Sequence, residues 1–210
     1  NNTTKHRSPV TYTEHRQNLN PEWQVGVSQN LGEYVSANLG VDHIGSSTTS
    51  TILAPYNIVL NPSVTSLLLG LDFHALANYQ LPNFKVAHPG GLYLGGDVGY
   101  NLLDTGQYGK ADDGTTIYTH SNIQYGLHLG YNFALTPNLQ WLMEGGYRYL
   151  GKAKQDDGSG DIYTTRAQAA DLLFGLKYYV GSSTSLYGKL GAALQFLKLD
   201  NTSLNPPATD

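Results

Sequence analysis

Thr119-His120-Ser121-Asn122 sets an imidazole beside a hydroxyl, the two groups that nucleophilic acyl transfer needs. The spacing defeats that chemistry. Adjacent residues of a strand point to opposite faces, and no carboxylate is placed to orient the imidazole, so His120 and Ser121 read as hydrogen-bonding residues at a loop edge. The oxygen-rich runs Gln155-Asp156-Asp157-Gly158-Ser159-Gly160-Asp161 and Lys110-Ala111-Asp112-Asp113-Gly114 could ligate Ca²⁺, but neither has the twelve-residue loop closed by Glu. Turn formation accounts for their Asp-Gly pairs more simply. The seven His show no pair at metal spacing, there is no Cys, and no glycine-rich loop leads from a strand into a helix. No catalytic residue, metal or cofactor is therefore expected.

What remains is a set of ionisable residues at alternate positions: Asp72 and His74, Asp97, His128, Glu144 and Arg148, Asp171 and Lys177, and Lys189. Residues two apart on a strand share a face, so these groups point into one interior, where charge is tolerated only when paired. Four acids (Asp72, Asp97, Glu144, Asp171) nearly balance three fixed bases (Arg148, Lys177, Lys189). Arg148 is expected near Glu144 or a carboxylate on a neighbouring strand. The same row could line a narrow conduit for ions; we read it as a salt-bridged core, because side chains can fill the interior of a small barrel completely.

The elements that must position these groups are strands. From Leu67 to Tyr79, every second residue (Leu67, Leu69, Leu71, Phe73, Ala75, Ala77, Tyr79) is apolar or aromatic, with Asp72, His74 and Asn78 between them. Eight segments of this kind are expected, over residues 22–30, 33–44, 64–79, 91–103, 122–134, 139–153, 169–180 and 185–199. Composition agrees. Charged residues are only 13% of the 210, against roughly 25% in globular proteins. Mean hydropathy is nevertheless −0.31 and no run approaches a membrane helix. Strands that alternate lipid-facing and lumen-facing residues resolve that conflict. Sixteen Tyr and 24 Gly fit the same reading. Trp23, Tyr79, Trp141, Tyr149, Tyr178 and Tyr179 are candidates for the interfacial aromatic belts. A net charge of −4 leaves no basic footprint for nucleic acid.

Connections of a few residues follow the first, fifth and seventh segments, whereas 45–63, 104–121 and 154–168 are long and polar. Residues 80–90 are intermediate and fall on the short side by parity. Residues 21–199 form the barrel, and 1–20 and 200–210 are polar tails belonging to an outer loop. No signal peptide stands at the start, so localisation rests on the barrel pattern. A soluble barrel with apolar residues facing a ligand is the competing architecture. Its outside would be dense in Lys and Glu, and the polar face here is mostly Gly, Asn, Gln and Ser with isolated charges.

Glu144-Gly145-Gly146-Tyr147-Arg148-Tyr149-Leu150 and Asp171-Leu172-Leu173-Phe174-Gly175-Leu176-Lys177-Tyr178 resemble the inner strands of small OmpA-like or opacity-type outer-membrane barrels. Pro21 to Leu31 resembles their closing strand and Glu33 to Gly40 their opening strand, so the order reads as rotated, a circular permutation. The resemblance covers roughly residues 21–199. It implies an all-β, eight-stranded antiparallel up-and-down transmembrane barrel in a bacterial outer membrane. It also implies a monomer without enzymatic activity, in contact with outer-membrane lipid and lipopolysaccharide, whose long loops meet a host or envelope partner. A porin-like channel and a soluble lipocalin-like binder are the alternatives.

Overall fold

The computed structural model describes residues 10–46, 63–75, 90–104, 120–156 and 161–203. Eight strands form one closed antiparallel barrel in chain order: β1 (Val10–Asn30), β2 (Val35–Ile44), β3 (Ser63–His74), β4 (Gly91–Asp104), β5 (His120–Thr136), β6 (Leu139–Asp156), β7 (Asp161–Tyr179) and β8 (Thr184–Ser203). Alternation selects the two faces. On β3, Leu67, Leu69, Leu71 and Phe73 are exposed on the outer wall, while Val64, Ser66, Leu68, Gly70 and Asp72 are buried in the lumen. Ala77, Asn78 and Tyr79, which alternation assigns to the same strand, lie outside the described residues.

Following paired residues around the barrel from Asn30 leads through Ser36, Asp72, Gly95, His128, Gly146, Asp171 and Ala193, and returns to β1 at Asn20, ten residues earlier. Such a stagger tilts the strands by roughly 40° to the axis, the range a closed barrel requires. The turns 31–34, 137–138 and 180–183 lie at one end with the 75–90 connection, which we call the near rim. The strand ends that flank residues 45–62, 105–119 and 157–160, the start of β1 and the end of β8 lie at the other, the far rim.

Several boundaries differ from the sequence reading, among them the end of β3, which stops at His74 and not at residue 79. β1 starts at Val10 and not at residue 22, and β8 runs on to Ser203, so much of the two supposed tails is paired strand, with Val10 opposite Ser203. Likewise most of 154–168 is not a loop: β6 and β7 pair up to Asp156 and Ile162. At the near rim, Glu33 and Tyr34 belong to the turn rather than to β2. β6, β7, β8 and the first half of β1 therefore continue beyond the other strands as a four-stranded sheet. Pro21 marks the branch. Pairing of β1 with β2 begins only at Glu22, and the Pro21 carbonyl accepts the Gly45 N–H at 2.9 Å, so the missing proline N–H falls where the ladder to β2 ends.

A bulge between Tyr149 and Gly151 changes the parity of β6. Leu150, Gly151 and Ala153 are all buried, and Lys152, which alternation places on the lumen side with Arg148, is exposed on the outer wall. Gly151 has φ of 102°, and a Cβ there would press on the Asn122 side chain. Gly151→Ala is therefore expected to destabilise the barrel by about 1–2 kcal/mol, which urea unfolding followed by Trp fluorescence would measure.

Candidate functional site

The lumen is filled by side chains in layers, and inward-facing positions of every strand contribute. Nearest the near rim, Ser36 Oγ and His74 Nε2 are 3.0 Å apart. Lys177 is buried and lies 5.6 Å from the centroid of the Tyr179 ring, making no ion pair among the described residues. Tyr179 thus points inward and is no belt residue. In the next layer, Glu144 accepts hydrogen bonds from Tyr93 Oη and Lys189 Nζ, each at 2.6 Å. Beside it, His128 Nε2 is 2.8 Å from Asp72, and Nδ1 is 3.4 Å from Asp97.

Above these pairs lies a second cluster centred on Arg148, which is 5% exposed. Its guanidinium donates to Glu22 of β1, to Asp42 of β2 at 2.7 Å and to Asp171 of β7 at 2.9 Å. One planar fork thus ties three strands to β6. Gly126, opposite on β5, leaves the space that the Arg148 stem occupies. Arg148 does not pair with Glu144, because the two sit four residues apart on one strand and Glu144 is already held by Lys189. Among the described residues the interior holds six carboxylates, since Glu22 and Asp42 join the four named from alternation; three fixed cations face them. Asp42 has the right parity in the sequence, and Glu22 stands at the edge of a segment whose start alternation does not reveal. Tyr93 was also on the polar face, but an aromatic gives no sign from sequence alone that its hydroxyl meets a buried carboxylate.

Toward the far rim the polarity falls. Gln124 Oε1 accepts from Ser66 Oγ at 2.7 Å and from Asn101 Nδ2 at 3.3 Å. Beyond them Ile44, Val64, Leu103, Leu150, Ala153, Ala167, Ala169, Ala193 and Leu197 form an apolar layer across the lumen. The Arg148 and His128 clusters border a cavity of about 40 Å³ as room for water centres, lined by Asp72, Tyr93, Asp97, Glu144 and Arg148 among others. That accommodates a few water molecules. Among the described residues, no group of three or more His, Cys, Asp or Glu is placed to hold a metal ion. The two Ca²⁺ candidates fall largely or wholly outside the described residues. β5 begins at His120, and no side-chain geometry of His120 or Ser121 is described.

The outer wall is the inverse of the lumen. Leu39, Leu69, Leu94, Leu127, Leu129, Leu172, Leu176 and Leu190 are all exposed at mid-height. Tyr131, Phe133, Trp141 and Phe174 form a chain of ring contacts, with centroids 4.4, 5.2 and 5.8 Å apart, toward the near rim. Trp23 packs on His43 at 5.5 Å and Tyr125 on Tyr149 at 5.2 Å on the far side. An apolar wall between aromatic girdles, around a charged and closed lumen, defines a transmembrane β-barrel and sets aside the soluble ligand-binding architecture. The OmpA-like transmembrane domain family matches residues 88–205, from just before β4 to past the end of β8. The chain belongs to that family. Among curated proteins, no sequence match is found.

Proposed function

We propose that this is a bacterial outer-membrane protein whose rigid barrel holds its far-rim connections outside the cell as a contact surface, for adhesion or for support of the envelope, without catalysis. The observation that carries the reading is the closed lumen. Buried ion pairs fill its middle and an apolar layer crosses its far end, which leaves the wall to act as a scaffold and the connections to act on partners. Residues 105–119 are rich in Thr, Gly and Asp and residues 45–51 in Ser and Thr, the composition of an exposed polar surface. In this reading the barrel is monomeric and surrounded by lipid and lipopolysaccharide. The rotated strand order is a circular permutation, with β1 as the family's closing strand; support comes from Val10 and Ser203 lying opposite each other at the far rim.

Replacing 47–60 or 106–118 by a short Gly-Ser turn should leave the heat-modifiable gel shift of a folded barrel intact while abolishing binding of expressing cells to partner surfaces. Unchanged binding by both variants would refute the contact role. In planar bilayers the protein should give no discrete current steps, and their appearance would replace the scaffold with a channel. Tags at either end should be cut by protease added to intact cells, and protection of both would overturn the orientation.

A further inference from the structure

Six Lys or Arg side chains are described in the structure, and they divide three and three. Arg148, Lys177 and Lys189 lie in the lumen. Lys152, Arg166 and Lys198 face outward, and strand register sets them in one row: Lys152 is opposite Arg166 across β6 and β7, and Arg166 is opposite Lys198 across β7 and β8. Directly opposed side chains start about 5 Å apart, and like charges there are destabilising unless countered. Asp200 lies 3.5 Å from Lys198 and 4.0 Å from Arg166, and Lys152 makes no ion pair among the described residues. Three cations thus share one described carboxylate. The Gly151 bulge completes the row, since without its extra residue Lys152 would point into the lumen.

The row also has a defined depth. On β6 it follows Tyr147 and Tyr149; on β8 it follows Leu194 and Phe196; on β7 only Ala170 and Gln168 separate it from Leu172. From Tyr178, at the near-rim end of the apolar wall, Arg166 is twelve residues along β7. For a tilted strand this is roughly 30 Å along the axis, against an apolar band about 25 Å tall. The cations therefore stand at headgroup level on the far-rim side, and no other described Lys or Arg faces outward at either rim.

We propose that Lys152, Arg166 and Lys198 form a binding site for the phosphomonoester headgroup of an anionic lipid in the leaflet around the far rim. A phosphate seated between neighbouring cations accepts from two side chains at once and supplies the missing negative charge. The acyl chains of that lipid continue down the apolar wall immediately below. The inference rests on the bilayer placement proposed above, not on the contact role of the connections.

The test uses the full chain in nanodiscs of phosphatidylcholine doped with either phosphatidic acid, a phosphomonoester, or phosphatidylglycerol, a diester, with co-purified lipid measured by native mass spectrometry. Phosphatidic acid should be enriched over both other lipids, and the enrichment should fall about tenfold or more in the triple variant Lys152→Gln, Arg166→Gln, Lys198→Gln. Lys152→Arg with Lys198→Arg should retain it. Equal enrichment in wild type and triple variant would overturn the site. Displacement of the lipid by millimolar inorganic phosphate would overturn the lipid as ligand in favour of a free anion. Should the triple variant not fold, the wild type alone decides: enrichment must weaken as salt rises, and salt-insensitive enrichment refutes the site. A failure of the bilayer placement is separately visible, as quenchers in the acyl region would then leave a fluorophore at Leu129 unaffected.

Discussion

Arg148→Met is expected to lower the unfolding free energy of the barrel by about 3–5 kcal/mol, the cost of leaving buried charge without its partner. The Arg148 guanidinium holds carboxylates from β1, β2 and β7, and its removal leaves Glu22, Asp42 and Asp171 facing one another in a site almost closed to water. Arg148→Lys should recover only part of the loss, because one ammonium cannot reproduce a planar fork that donates in three directions. Adding Glu22→Gln and Asp42→Asn to Arg148→Met should restore stability relative to Arg148→Met alone, since two of the three orphaned charges disappear. Reversible urea unfolding in lipid vesicles, followed by Trp fluorescence, measures all of these. A loss below about 1 kcal/mol for Arg148→Met would show that the cluster is hydrated and does not act as a core.

The second large effect distinguishes lipid from water at the wall. Leu129 points outward from β5 at mid-height, with 52% of its surface exposed, opposite Leu94 of β4 and Gly145 of β6. Leu129→Arg should cost about 2–4 kcal/mol in a bilayer, where an arginine at mid-depth must be dragged to the interface. Gln168→Arg, beside the cation row, should cost no more than about 1 kcal/mol. In water both substitutions are exposed surface changes, which stay within about 0.5 kcal/mol. The difference between the two sites is therefore the informative quantity, and a difference near zero in vesicles would remove the membrane assignment.

The parts of this barrel legible in the sequence are those where one face meets lipid. Leu67, Leu69, Leu71 and Phe73 alternate with Ser66, Gly70 and Asp72, and that contrast fixes strand, face and class together. Beyond the lipid the contrast vanishes. Val10 to Asn20 and Asp161 to Gln168 carry polar residues at both parities, so their pairing left no periodic trace and they read as loops. The lumen was half legible for a related reason. Parity puts Asp42, Arg148 and Asp171 on one face, but which carboxylate meets which base depends on the ten-residue stagger, a property of the closed barrel and of no single strand. The bulge at Gly151 was hidden because one extra residue inverts parity without altering composition, and it moved Lys152 from one side of the wall to the other.

The ladder between β1 and β8 runs from Val10 opposite Ser203 to Gln29 opposite Thr184, twenty pairs, the longest of the eight. It joins the most distant strands in the chain, so its formation must wait until synthesis has reached the final strand. Until then β1 has a bare edge of some twenty backbone positions, a template for any extended segment nearby. The greater length of this seam offsets the entropy lost in bringing remote ends together, a loss that grows only logarithmically with separation while hydrogen bonds accumulate residue by residue. Biogenesis of the molecule is thus a zipping problem whose last stitch lies between its oldest and youngest strands.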